Sequence, residues 1–160
     1  MKILVLYHSR GGNTRRLAEA VAKGVDSVEG AEAVSKTPET VTKEDFLDFD
    51  GVIAGSPVYF GTMAAELKKV LDDFVSVRKK MEGKVGATFA TAGDPTGGKE
   101  TTMMSIIQAL LIYGMVIVGD PLSATGHYGT ACVGAPDKGA LENGEKLGRR
   151  VAEVALRLRG

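Results

Sequence analysis

The sequence predicts an α/β protein, an open, doubly wound parallel sheet of five strands with helices on both faces. Three observations carry that expectation. Short apolar runs recur along the chain, and segments of helical periodicity alternate with them. The first run, Lys2–Tyr7, is almost unbroken, the pattern of a strand buried on both faces. A length of 160 residues suits one ordinary domain, so a single unit over residues 1–160 is expected.

The elements follow in order. Behind Lys2–Tyr7, Leu17, Ala18, Val21, Ala22 and Val25 recur at helical spacing. Ala31–Ser35 reads as a weak second strand. The acidic stretch holding Glu39, Glu44, Asp45, Asp48 and Asp50 suggests a short exposed helix. Gly51–Gly55 is a third strand, and Leu67, Val70, Leu71, Phe74 and Val75 mark one face of the helix after it. Lys84–Thr91 is strand four. Met103, Ile106, Ile107, Leu110 and Leu111 mark a helix that Gly114 ends. Met115–Val118 is strand five, then an aperiodic connection runs from Asp120 to Lys138. Leu147, Val151, Val154, Ala155 and Leu158 make a closing amphipathic helix. Repeated strand–helix units call for right-handed crossovers.

Composition excludes several classes. Lys+Arg and Asp+Glu both number 20, so no net field recruits nucleic acid or an anionic membrane. No apolar run approaches the roughly 20 residues of a membrane span. Met1-Lys2 leads straight into the first strand without a signal-peptide pattern, so a cytoplasmic location is expected. One cysteine, Cys132, makes neither an internal disulfide nor a cysteine-ligated metal or iron–sulfur site, and no metal is expected. It is read as buried and inert. The 21 glycines are many for a chain of this length. Gly11-Gly12, Gly61, Gly93, Gly97, Gly98, Gly126 and Gly129 all follow strands, at the edge where open α/β sheets bind ligands.

Four loops at that edge carry chemistry. The first holds Ser9, Arg10, Gly11, Gly12, Asn13 and Thr14. Its glycines let backbone N–H groups converge at a helix start, which favours an anion such as phosphate over a plain capped turn. It has no Gly-x-Gly-x-x-Gly, so a dinucleotide Rossmann domain is disfavoured. The second holds Pro57, Val58, Tyr59, Phe60, Gly61 and Thr62. Two aromatics on a polar rim suit a planar ring, the alternative being that Phe60 turns into the core. The third, Thr91, Ala92, Gly93, Asp94, Pro95, Thr96, Gly97, Gly98 and Lys99, satisfies most of a Walker A pattern. Glu100 stands where that pattern needs Ser or Thr for magnesium, and the loop follows strand four, so a nucleotide triphosphatase is rejected. The fourth, within Asp120–Lys138, holds His127 and Tyr128, which either meet substrate and carry a proton or are simply solvated. His8 precedes the first loop and is read as a packing residue there.

These loops, in this order, resemble the flavodoxin-like FMN proteins, and within them the quinone-reducing enzymes of the Trp-repressor-binding-protein type. Ser9–Thr14 resembles the (Ser/Thr)-x-x-Gly-x-Thr phosphate loop, and Pro57–Met63 resembles the Pro-x-x-Phe-Gly-x-Met loop lining the flavin ring. Thr91–Glu100 resembles the Thr-Gly-x-Gly-Gly-x-Glu segment at the flavin's pyrimidine edge, and Gly126–Pro136 resembles a Gly-x-x-Tyr-Gly loop absent from simple flavodoxins. The resemblance implies strand order 2-1-3-4-5 in three layers. It also implies tightly bound FMN, NAD(P)H as co-substrate, and a quinone-like acceptor or redox protein, in a homodimer or homotetramer. The arginines near the phosphate loop are then solvent-facing, though Arg10 can cover the site. The alternative is a flavodoxin-type carrier of single electrons between proteins. Such carriers are strongly acidic, and the balanced charge weighs against one. Family members tend to be longer after strand four, whereas here that strand runs directly into the glycine loop.

Overall fold

In the first strand, Ile3, Leu4, Val5 and Leu6 are wholly buried. Ile3 and Val5 pack on one face of the sheet, and Leu4 and Leu6 on the other, as the two-residue period of a strand requires. The structure, a computed structural model, describes residues 1–160. Its elements are β1 (Lys2–Tyr7), α1 (Asn13–Asp26), β2 (Glu32–Lys36), α2 (Lys43–Asp48), β3 (Gly51–Pro57) and α3 (Ala65–Asp73). A 3-10 segment (Val75–Met81) leads into β4 (Val85–Ala92), α4 (Lys99–Ile112), β5 (Val116–Ile117), β6 (Thr130–Val133) and α5 (Lys138–Arg159). The sheet runs β2-β1-β3-β4-β5, all parallel, with β6 also paired to β4.

The order is the expected one, with helices on both sides. Leu17, Val21 and Val25 of α1 and Leu147 and Val151 of α5 cover one face. Phe46 of α2, Leu67 and Leu71 of α3, and Ile106 and Leu110 of α4 cover the other. Where α1 crosses α5 the backbones touch, since a Cβ on Gly148 would fall 2.0 Å from the Val21 carbonyl oxygen.

Three details depart from the sequence reading. The fifth strand is split: the chain pairs with Val85 and Gly86, leaves the sheet at Gly119, and returns at Thr130 beside Phe89. The second piece, β6, lies inside the stretch read as aperiodic. The short helix α2 is not exposed throughout, because Phe46 is fully buried and meets Phe74 edge-on at 5.1 Å. Thr42 and Asp45 close its start as a capping box, and the Lys84 ammonium donates to the Phe46 and Leu47 carbonyls at its end. Burial lowers the Lys84 pKa. Finally, Val75 is exposed, because α3 ends at Asp73 and the chain tightens into the 3-10 segment.

Candidate functional site

The start of α1 is built as an anion nest. Its N-cap is Gly12 at φ 90°, left-handed backbone that glycine adopts without penalty. No side chain caps this helix, and its first turn carries no acidic residue. Ser9 Oγ accepts from the Gly12 and Arg15 amides, both at 3.2 Å, and folds the loop back on itself. The amides of Arg10, Gly11, Asn13 and Thr14 donate to no group in the protein. A Cβ on Gly11 would meet nothing within 4 Å, so the space over these donors is open. Orphaned donors at the positive end of a helix fit a phosphate. Thr14 lies lower than its neighbours: its hydroxyl is buried and shares a 2.8 Å hydrogen bond with the Thr91 hydroxyl, tying the loop to β4. Arg10, Arg15 and Arg16 face solvent.

After β3 the chain makes a two-residue hairpin. Tyr59 and Thr62 exchange backbone hydrogen bonds of 3.0 and 3.2 Å around Phe60 (φ 50°) and Gly61 (φ 79°). Positive φ at both central residues is the type I′ pattern. For Gly61 it is free; for Phe60 it costs about 1–2 kcal/mol, strain of the kind that collects at functional sites. Phe60 does not turn into the core: its relative accessibility is 108%. Tyr59 is half-buried and meets His8 edge-on at 6.3 Å. The Val58 amide donates to the Thr91 carbonyl at 2.8 Å, and Ser56 Oγ accepts from the Ala64 amide at 2.8 Å. Together they pin both ends of the loop.

The loop after β4 meets this hairpin through glycine. Thr101 Oγ lies 2.6 Å from the Gly61 carbonyl and 2.9 Å from that of Gly98. Gly98 has φ 102°, and a Cβ there would fall 2.7 Å from Thr101 Oγ and 3.0 Å from Gly61 Cα. The Gly93 and Gly98 amides have no acceptor in the protein, and nothing lies within 4 Å of a Cβ on Gly93. Asp94 braces the turn, its Oδ1 accepting from the Thr96 amide and hydroxyl at 2.8 Å each. Those bonds, the hydroxyl's first, hold its carboxyl below the usual range. Ala92, at the end of β4, is buried and accepts from the Gly134 amide.

His127 and Tyr128 ride the excursion between β5 and β6 and are exposed. They line a cavity of about 270 Å³ with Lys99, Glu100 and Met103 of α4. The structure thus sets them beside the start of α4 rather than in one cavity with Ser9–Thr14. Gly129 anchors the return, since a Cβ there would fall 2.0 Å from the Thr88 carbonyl oxygen. Cys132 is half-buried, and burial pushes its thiol up to about 11. It is no thiolate at neutral pH.

Sequence reasoning missed the struts. Ser56 and Thr101 hold the hairpin, and His8 Nε2 lies 3.7 Å from Glu66 Oε1. Nothing in linear spacing marks His8 and Glu66 as neighbours. Thr101 had a weak signal, a hydroxyl residue in the first turn of a helix that follows two glycines.

The chain is 36% identical to a protein of Archaeoglobus fulgidus named NAD(P)H dehydrogenase (quinone), over 98% of each chain. It is 37% identical to a protein of Aquifex aeolicus named flavodoxin, over 95% of this chain and 85% of that one. Among solved structures, a flavodoxin, WrbA-like protein from Agrobacterium tumefaciens superposes with a TM-score of 0.83 at 26% identity, covering 98% of both chains. A family model described as NADPH-dependent FMN reductase matches residues 1–130. The chain belongs to that NADPH-dependent FMN reductase family.

Proposed function

We propose that this protein is an FMN-dependent oxidoreductase that takes electrons from NAD(P)H and delivers them to a quinone or similar acceptor. The carrying observation is the set of unpartnered amides of Gly11, Asn13 and Thr14 over open space at a helix start without a carboxylate. When bound, FMN supplies a ring that accepts hydride from a nicotinamide and yields two electrons to the acceptor.

The chain's own residues do the rest. Those amides and the Ser9 hydroxyl hold the phosphate. The neighbouring Arg10, exposed and in no ion pair within the chain, would cover the phosphate from the solvent side. Pro57, Val58, Tyr59, Phe60, Gly61 and Thr62 frame the ring. Thr91, Ala92, Gly93, Asp94, Gly97 and Gly98 run along its edge, where the free Gly93 and Gly98 amides stabilise negative charge on an adjacent carbonyl or nitrogen. His127 and Tyr128 form the outer rim where an acceptor arrives.

The alternative, a one-electron carrier between proteins, draws on the relative named flavodoxin. The formal net charge of +0 and the excursion bearing His127 and Tyr128 support the enzyme instead. No helix is long and apolar enough to cross a membrane. A cytoplasmic location belongs to this reading because nicotinamide nucleotides are its reductant, and so does a homodimer or homotetramer.

The test is to load the protein with FMN, add NADH or NADPH anaerobically, and follow flavin absorbance before and after a small quinone is supplied. Rapid bleaching and rapid recovery are expected. Flavin that ignores both nicotinamides would overturn the enzyme in favour of the carrier.

A further inference from the structure

The hairpin after β3 and the glycine loop after β4 belong to different strands, and one hydroxyl spans their tips. Beyond the exchange between Tyr59 and Thr62, the backbone of the Phe60–Gly61 turn makes a single hydrogen bond within the chain, to Thr101. A turn with a non-glycine residue at positive φ persists only where its surroundings hold it. The Thr101 hydroxyl has two carbonyls in reach, that of Gly61 at 2.6 Å and that of Gly98 at 2.9 Å. It carries one proton and serves one of them at a time. The Gly98 carbonyl already accepts from the Thr102 amide at 2.9 Å, whereas the Gly61 carbonyl has no other donor. The proton therefore belongs on Gly61.

Four residues further along α4, the Ser105 hydroxyl accepts from the Met63 amide at 3.4 Å. Hydroxyls at that spacing share one face of a helix. The helix thus meets the Gly61 carbonyl and the Met63 amide with side chains, as a neighbouring strand would with its backbone. The same contact reaches the glycine loop. A Cβ on Gly98 would fall 2.7 Å from Thr101 Oγ and 3.0 Å from Gly61 Cα, so the oxygen and both glycines are packed together. Whatever fixes Thr101 Oγ fixes the spacing between the hairpin and the free Gly98 amide.

We infer that Thr101 is a positioning residue for electron transfer, its hydroxyl holding the hairpin and the Gly98 amide at the spacing that sets the reduction potential. The potential rests on the FMN reading; the bridge between the loops does not. Negative charge on the ring grows with reduction, so a displaced amide weakens the reduced form more than the oxidised one. A residue with a purely structural role would weaken both alike and leave the potential where it was.

Thr101→Val keeps the branched shape and removes the proton, and Thr101→Ser keeps the hydroxyl. The position is exposed, so both variants are expected to fold, as far-UV circular dichroism would record; Thr101→Ala replaces Thr101→Val if that variant does not. In the FMN-loaded chain, Thr101→Val should lower the two-electron midpoint potential by about 30 mV, a tenfold greater loss of affinity for reduced than for oxidised FMN. Thr101→Ser should restore the wild-type value. In the ligand-free chain, amide hydrogen exchange over residues 58–63 should quicken roughly tenfold in Thr101→Val and not in Thr101→Ser. An unchanged potential in Thr101→Val, or a Thr101→Ser protein that behaves like it, would overturn the proposal, as would unaltered exchange. A wild type that binds no FMN would refute the functional reading and the potential with it, and the exchange comparison would still decide the bridge.

Discussion

Two helices packed against each other begin in opposite ways. Both α1 and α5 follow a strand and start at the carboxyl edge of the sheet. Asp137 caps α5, its carboxylate accepting from the Ala140 amide at 2.8 Å, so the positive helix end is neutralised from within. Gly12 caps α1 in left-handed backbone with no side chain, leaving its amides unpaired. The first arrangement favours stability. The second withholds about 1 kcal/mol of capping energy and leaves the donors for a ligand. The other helices fall between: α2, α3 and α4 each carry an acidic residue in the first turn, and α4 keeps Glu100 below its usual pKa first through its own backbone amide. Only α1 presents a positive end with no anion of its own.

This contrast can be broken deliberately. Asn13→Asp puts an anion into the open helix start, so FMN affinity should fall roughly 100-fold, about 2.7 kcal/mol. The ligand-free protein should meanwhile gain about 0.3–1 kcal/mol, a pairing of losses and gains that fluorescence titration and urea unfolding together would reveal. Gly98→Ala should cost about 1–3 kcal/mol of stability and loosen FMN, because its Cβ runs into Thr101 and Gly61. Asp137→Ala is the counterpart at the capped helix: urea unfolding should record a loss of about 1 kcal/mol, with FMN affinity unmoved.

The smallest effect concerns pH. The Asp45 carboxyl lies below its ordinary pKa although burial opposes this, because the Lys36 ammonium, at 2.7 Å, and the Thr42 amide favour the charged form. A depressed carboxylate adds stability above its unfolded pKa, and that stability disappears as the pH falls through the lower, folded value. The wild type should therefore lose more stability than Asp45→Asn when acidified below about pH 4, read from thermal melts across that range.

What the sequence disclosed follows physical lines. β1 was legible because a strand buried on both faces is apolar almost without interruption, and β3 and β4 because short runs of small and apolar residues recur between helical segments. The first loop was legible as an anion site because adjacent glycines before a helix have few other uses. β6 was hidden, since Thr130–Val133 is short, sits between Gly129 and Gly134, and is defined only by its pairing with β4. The orientation of Phe60 was hidden as well, because it depends on a two-residue turn that the Tyr59 and Thr62 backbone closes. Thr14 was rightly placed in the loop, but its hydroxyl turns to Thr91, a residue brought near only by the sheet. Local pattern identified the loops, and tertiary contact decided which atoms within them stay free.

The central claim is that the open start of α1 is kept for a phosphate, and comparing FMN with riboflavin tests it most directly. Titrated by flavin fluorescence quenching, FMN should bind at micromolar concentration or tighter, and riboflavin, which lacks the phosphate, at least roughly 100-fold more weakly. Equal affinity for the two flavins, or no binding of FMN, would contradict the account.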